Sequence, residues 1–286
     1  MKFKCVSIEA VLKCSNGNGT TTFVKSSNIA KVDNIELATT ADMIEPFPGD
    51  ACRQGCFSGT KPCTPALNPW TFIASHKKVG SVELLIEKSI AKCTTKDAFI
   101  TIDDVKQDTV IIDLSGVIIN AINKTNEMLD FRMDQYENDP DKFKECFEKW
   151  FGKGHSAENI QKIVDRMKAT RALTSKLINE DGSLNEDHFI LEPEDENNAY
   201  VYPNDKNHEI HLSQGSFSQN KPTSGFGTLS GTIAHESSHF NDIGGTDDHA
   251  YWGKVQPLAK TDPDKALNNA ASFSFFLESG ATCNDY

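Results

Sequence analysis

Ala234-His235-Glu236-Ser237-Ser238-His239-Phe240, followed by Gly244-Gly245-Thr246-Asp247-Asp248-His249-Ala250-Tyr251, is the stretch from which the rest of the chain can be read. On a helix, residues four apart lie one above the other, so His235 and His239 share a face about a turn apart. Zinc takes neutral imidazole nitrogens at about 2.0–2.1 Å, and a rigid pair one turn apart supplies two of them. Glu236 lies beside the pair and can reach a water at the metal without itself being a ligand. The paired glycines allow a sharp reversal after the helix, so that an Asp nine residues beyond His239 can return to the ion. Two histidines, one carboxylate and one position left for water describe a catalytic rather than a structural zinc site. The competing reading is a surface helix bearing two histidines and no metal.

The downstream residues narrow the class. One zinc-peptidase class needs a third His six residues after His239, where this chain has Gly245. Another takes a Glu from a later helix, and Glu278 is the candidate. The sequence instead carries Gly245-Thr246-x-Asp248-x-x-Tyr251 and resembles the aspzincins, the deuterolysin and peptidyl-Lys metalloendopeptidase family. Trp150-Phe151-Gly152, Ala199-Tyr200-Val201-Tyr202-Pro203, Ile210 with Leu212, and Gly227-Thr228-Leu229 extend the likeness over roughly residues 112–286. The resemblance implies His235, His239 and Asp248 as zinc ligands, Glu236 as general base and Tyr251 as donor to the oxyanion. Asp247 and His249 flank the third ligand. Zinc acidifies water, a carboxylate takes its proton, and a phenol can donate to a tetrahedral oxyanion, so the residue chemistry agrees.

Two departures from the family pattern bear on specificity. Members that cut before lysine carry an Asp and a Glu three residues apart after an Asn-Asn-Ala run. Here Asn268-Asn269-Ala270 leads to Ala271 and Ser274, the expected lining of the substrate pocket. Neither neutralises a buried ammonium, so lysine-directed cleavage is not expected. Trp252 replaces the glycine that follows the tyrosine, and it reads as a core residue.

The chain has 286 residues, 38% of them apolar, and a net charge of -12, which excludes a broad basic face for nucleic acid. No run approaches a membrane span. Glu9 and Lys13 interrupt the N-terminal stretch before an apolar signal segment can form, so no signal peptide is expected.

Residues 1–104 read as short β runs between Gly, Asn, Pro and Ser turns, ahead of a linker at 105–112 and a mainly α (α+β) zincin-type domain at 113–286. Six of the eight cysteines fall in the first third. Cys14, Cys52, Cys56, Cys63 and Cys93 are candidates for a second metal site, with His76 able to join, or for disulfides or buried thiols. Leu12-Lys13-Cys14-Ser15, Cys52 after a Pro-Phe turn, Cys63-Thr64-Pro65 before Trp70, and Cys93 before an Ile-rich strand resemble the small all-β PAAR-like cone that caps type VI secretion spikes. Ala10 departs from that pattern, where Gly is often found.

The resemblance implies a chain made in the bacterial cytoplasm and carried by the spike trimer into a target cell. There it would act as a toxic zinc endopeptidase on protein substrates, with an immunity protein as a further partner. A structural tip protein and an intracellular processing protease are the alternatives.

In the second half, apolar residues recur at helical spacing from Leu114 to Leu129, from Phe143 to Phe151 and from Ile160 to Leu173. Asp262-Pro263 starts a single last helix running through Leu277. The strand at Glu209–Leu212 is the candidate edge for pairing with an extended substrate.

Overall fold

The computed structural model describes residues 2–17, 19–24, 30–32, 34–48, 62–79, 82–94, 98–108, 111–192, 199–213 and 224–283. The chain divides into two units: residues 1–114 with short stretches at 191–196 and 217–219, and 115–190, 197–216 and 220–286.

The described residues of the first unit form strands and no helix. Strands β1 (Lys2–Lys4), β2 (Val11–Cys14), β3 (Thr20–Thr21), β4 (Ala30–Val32), β5 (Ile35–Leu37), β6 (Thr71–Val79), β7 (Val82–Cys93), β8 (Ala98–Asp104) and β9 (Ile111–Asp113) succeed one another. Five of them make one antiparallel sheet in the order β3-β2-β8-β7-β6. Alternation sends Leu12, Cys14, Leu85, Ala91, Cys93, Ala98 and Ile100 into a core shared with Val6, Phe23, Phe47 and Trp70.

The expected linker is partly structured. Ser7 N–H donates to Val105 O at 3.0 Å, and β9 pairs with β1. Ile111 and Ile112 are β-branched, a residue type that favours strands, in a stretch the sequence reading counted as connection.

The second unit holds helices α1 (Ser115–Asn138), α2 (Pro140–Phe151), α3 (Ala157–Thr174), α4 (Leu229–His239), α5 (Val255–Thr261), α6 (Pro263–Leu267) and α7 (Ala270–Glu278). Strands β10 (Phe189–Glu192), β11 (Ala199–Val201) and β12 (Ile210–Ser213) form its sheet. Caps set the boundaries: Asp139, with Pro140 next, accepts from Lys142 N, and Ser156 accepts from Asn159 N. Gly152 ends α2 at φ +95°, and a Cβ there would collide with the Ala259 carbonyl oxygen. The core joins Leu129, Phe143, Phe147, Trp150, Phe151, Ile163, Met167, Ala234, Phe273 and Phe276. Cys146 and Cys283 form a disulfide across it.

Buried Arg132 reaches from α1 to Phe276 O at 2.9 Å, Gln135 Oε1 at 2.6 Å and Ser279 Oγ at 2.7 Å, with its guanidinium over the Phe276 ring. Burial lowers its pKa to about 10.

Two expectations change here. β12 is the central strand, in the order β10-β12-β11, so the edges of the sheet are β10 and β11 rather than Glu209–Leu212. All four β12 residues are buried, as a middle strand requires. The last helix is also not continuous. It breaks at Asn268 and Asn269, where the Asn268 carbonyl accepts from Asp247 N and the Asn269 side-chain oxygen accepts from His249 N and Ala250 N, all in the loop after α4.

Candidate metal centre

Helix α4 is gripped at both ends. At its start Thr228 accepts from Gly231 N at 2.9 Å. The Glu278 carboxylate, from the end of α7, accepts from Gly227 N at 3.0 Å, Thr228 N at 2.9 Å and Thr228 Oγ1 at 2.7 Å. A carboxylate at a helix N-terminus is favoured by the helix dipole. Gly231 leaves the room, because a Cβ there would meet that carboxylate. Glu278 is thus spent on the helix start, about 10 Å along the axis from His235, and is not a third ligand.

At the other end Phe240 is fully buried, and its carbonyl accepts from Ile243 N, Gly244 N and Gly245 N at 2.9–3.0 Å. Gly245 lies at φ +54°, the conformation that turns the chain back. Thr246 N–H then donates to Ser238 O at 3.1 Å, which returns the loop alongside the helix.

This reversal brings three predicted residues together: the ligand-type atoms of His235, His239 and Asp248 lie within 4.8 Å of one another. His235 Nε2 is 3.2 Å from Asp248 Oδ1 and His239 Nε2 is 3.4 Å from Asp248 Oδ2. Two donor atoms bound to one tetrahedral zinc at about 2.0–2.1 Å lie roughly 3.3–3.4 Å apart, so these spacings suit a shared ion. The protonation pattern points the same way. His239 Nδ1 is 2.8 Å from Thr246 O, which assigns the ring proton to Nδ1. Neutral His239 therefore turns a lone pair towards a carboxylate oxygen, an arrangement that needs a cation, either a proton or a metal ion, between them.

The electrostatics carry that signature. Burial alone would lower the His239 pKa, but Asp248, the Thr246 carbonyl and the Glu236 charge reverse this and raise it to about 8. Burial would raise the Asp248 carboxyl, yet contacts from His235, His239 and the Tyr251 hydroxyl hold it far below the usual carboxylate range. Tyr251 is 48% exposed, its ring stacked 6.0 Å from His235. Burial, then Asp248, push its phenol up. Glu236 is buried, and its charge raises both His239 and Tyr251.

The remaining candidates fall elsewhere. Asp247 accepts from Asn268 Nδ2 at 3.1 Å, with His249 Nε2 at 3.8 Å, and neither joins the triad. Ala271 and Ser274 are 2% and 3% exposed, inside the core rather than on a pocket wall, and Ser274 Oγ donates to Ala271 O. The period of α7 turns them inward together with Phe273 and Phe276. Trp252, expected in the core, is instead 47% exposed, with its indole laid over Gly227 where a Cβ would be. Cys14 and Cys93 are buried free thiols, Cys63 is buried, and the described residues contain no second group of three metal-ligand side chains. Burial pushes the Cys5 thiol up to about 11. Cys52 and Cys56 lie outside the described residues, as does the His76 side chain.

Four residues whose supporting roles the sequence does not show hold the site: Thr246, Arg166, Asn269 and Glu278, the last of them considered from the sequence only as a ligand. Arg166 is deeply buried and donates to Leu267 O at 3.0 Å and Gly244 O at 3.5 Å, tying α3 to the reversal. An Arg in the polar run of a helix carries no sequence signal for this.

Residues 136–278 match the aspzincin M35 family, described as lysine-specific metallo-endopeptidase. The chain is 34% identical over 133 residues to an extracellular protease of Aeromonas hydrophila, covering 46% of this chain and 35% of that protein. It is 46% identical over 81 residues to a peptidyl-Lys metalloendopeptidase of Grifola frondosa, covering 28% and 22%. A zinc peptidase structure from Grifola frondosa aligns with a TM-score of 0.47 at 25% identity, covering 57% of this chain and 93% of that one. The chain thus spans between a fifth and about a third of these two curated relatives.

Proposed function

The chain belongs to the aspzincin M35 family, whose members use zinc, and from that premise we propose that it is a zinc metalloendopeptidase with His235, His239 and Asp248 as ligands. The observation that supports the ligand set is one carboxylate spanning two Nε2 atoms at 3.2 and 3.4 Å. When bound, zinc supplies Lewis acidity, which acidifies a water and polarises a carbonyl. Glu236 takes the proton of the attacking water and returns it to the leaving amine. Its burial keeps the carboxylate out of bulk solvent and close to both His239 and Tyr251. The Tyr251 hydroxyl, held on Asp248, swings to donate to the oxyanion. Thr246 keeps the His239 ring in the tautomer that offers Nε2.

The test is Glu236→Gln, which keeps size and metal but removes the base. Zinc content should stay stoichiometric while casein hydrolysis falls by orders of magnitude. Equal activity in the two proteins would refute the enzyme reading.

Residues 1–104 in this reading form the PAAR-like spike tip, with the peptidase as cargo and the secretion spike trimer as carrier. Its support is that the described residues of this stretch form strands and no helix and lie outside the family match, together with an extracellular protease among the relatives. The disulfide of the second unit accords with an oxidising destination. No helix of the described residues is long and apolar enough to cross a membrane.

A further inference from the structure

Asn269 is fully buried at the start of α7, in the N-cap position, yet its side chain makes no cap bond to its own helix. Asn at an N-cap ordinarily accepts from a backbone N–H two or three residues on. Here Oδ1 accepts instead from His249 N at 2.9 Å and Ala250 N at 3.0 Å, twenty and nineteen residues away. Nδ2 donates to Ala250 O at 3.1 Å and to Ser272 Oγ at 3.0 Å. All four hydrogen-bonding positions of the amide are thereby used, and the partners settle which end is oxygen.

Those contacts close one side of a bracket. On the other, Asp247 N–H donates to Asn268 O at 2.9 Å and Ala270 N–H donates to Asp247 O at 3.0 Å. Asp248 is the single residue between the two clamped segments, and Tyr251 follows directly after them. We propose that Asn269 is a positioning residue whose side chain fixes the backbone on the C-terminal side of Asp248, opposite the Asp247 contacts of its neighbours Asn268 and Ala270, setting the carboxylate where the two histidines can share its ion. The proposal rests on the reading of Asp248 as a metal ligand.

The chemistry explains why the residue is Asn. Ser or Thr is too short to span two consecutive N–H groups and also reach a carbonyl. Asp keeps the two acceptor contacts but has no donor for Ala250 O. Asn supplies both acceptance and donation from one rigid planar group.

The experiment uses the full chain and measures two things for each variant: zinc Kd by competition with a chromogenic chelator, and the melting temperature of the metal-free protein. Asn269→Ala should weaken zinc binding by ten- to a hundredfold, the usual cost of losing a group that orients a ligand. Asn269→Asp should lose clearly less. Leu129→Ala, a core truncation, should lower the melting temperature while leaving zinc Kd unchanged, which separates positioning from general destabilisation. Wild-type Kd in Asn269→Ala, with zinc lost in Asp248→Ala, overturns the proposal and leaves the ligand set standing. An Asp variant no better than Ala overturns it too. Wild-type zinc binding in Asp248→Ala removes the ligand reading itself, and the proposal falls with it. Should Asn269→Ala not fold, amide exchange measured by NMR on metal-free wild type decides: His249 and Ala250 should both be protected, and exchange at open-loop rates overturns the proposal.

Discussion

His239 and Asp248 face each other with room for one cation between them, and that pair sets the pH behaviour of the site. The His239 pKa is raised from 6.5 to about 8, so its contacts stabilise the metal-free fold fully below about pH 6.5 and lose that effect as pH rises through 8. Zinc needs the unprotonated ring, so its affinity should rise over the same interval and level off above it. Chelator competition and metal-free melting from pH 6 to 9 check both slopes, and flat profiles would count against the shared-cation geometry. Tyr251→Phe should reduce turnover by about 10²–10³-fold, as for one oxyanion donor, while retaining zinc. At this scale the sequence was most readable where the interaction is local. His235 and His239 follow from helical spacing alone, and Glu236 from its place beside them. Asp248 came through family likeness. The supporting roles of Asn269, Thr246 and Glu278 escaped because their partners lie seven to fifty-one residues away, and nothing in a side chain's identity names a distant backbone group.

The elements themselves were legible where capping and periodicity agree. Asp262-Pro263 begins α6 as its chemistry requires. The break between α6 and α7 was not, since Leu267 to Leu277 keeps an apolar helical period while tertiary hydrogen bonds pull Asn268 and Asn269 off the axis. Strand order likewise depends on long-range pairing, which moved the sheet edge from β12 to β10 and β11. The disulfide joins α2 to the segment after α7 across 137 residues, and burying a guanidinium beside Cys146 makes this corner sensitive to disruption. Replacing both cysteines with Ser should cost about 2–5 kcal/mol of stability, read from denaturant unfolding under non-reducing conditions. Wild-type stability in that variant would show that the bridge is dispensable. At the two positions after the Asn-Asn-Ala run where lysine-directed relatives carry acids, helix α7 has Ala271 and Ser274, both buried in the core. We propose that cut sites in a peptide library show no excess of lysine after the scissile bond, whereas a strong excess would mean that an acid elsewhere in the chain reaches the substrate.

At the scale of the whole molecule, the family match at 136–278 falls within the span of the second unit, and the first 114 residues have their own sheet and core. The described residues of the first unit form strands, with Cys5, Cys14 and Cys93 buried among them. The two units have separate cores, so removing residues 1–114 should leave a chain that binds one zinc, hydrolyses casein at the full-length rate and retains the sensitivity to Glu236→Gln. The same deletion should abolish export from a cell whose contractile secretion machine is active, and pull-down of the full chain should recover the spike trimer. Two results would separate the possibilities cleanly. Export of the isolated second unit as efficient as that of the full chain would mean that the first unit is not the carrier. Loss of hydrolysis together with export would mean that the first unit completes the peptidase fold, and the division of labour argued from the two cores would be wrong.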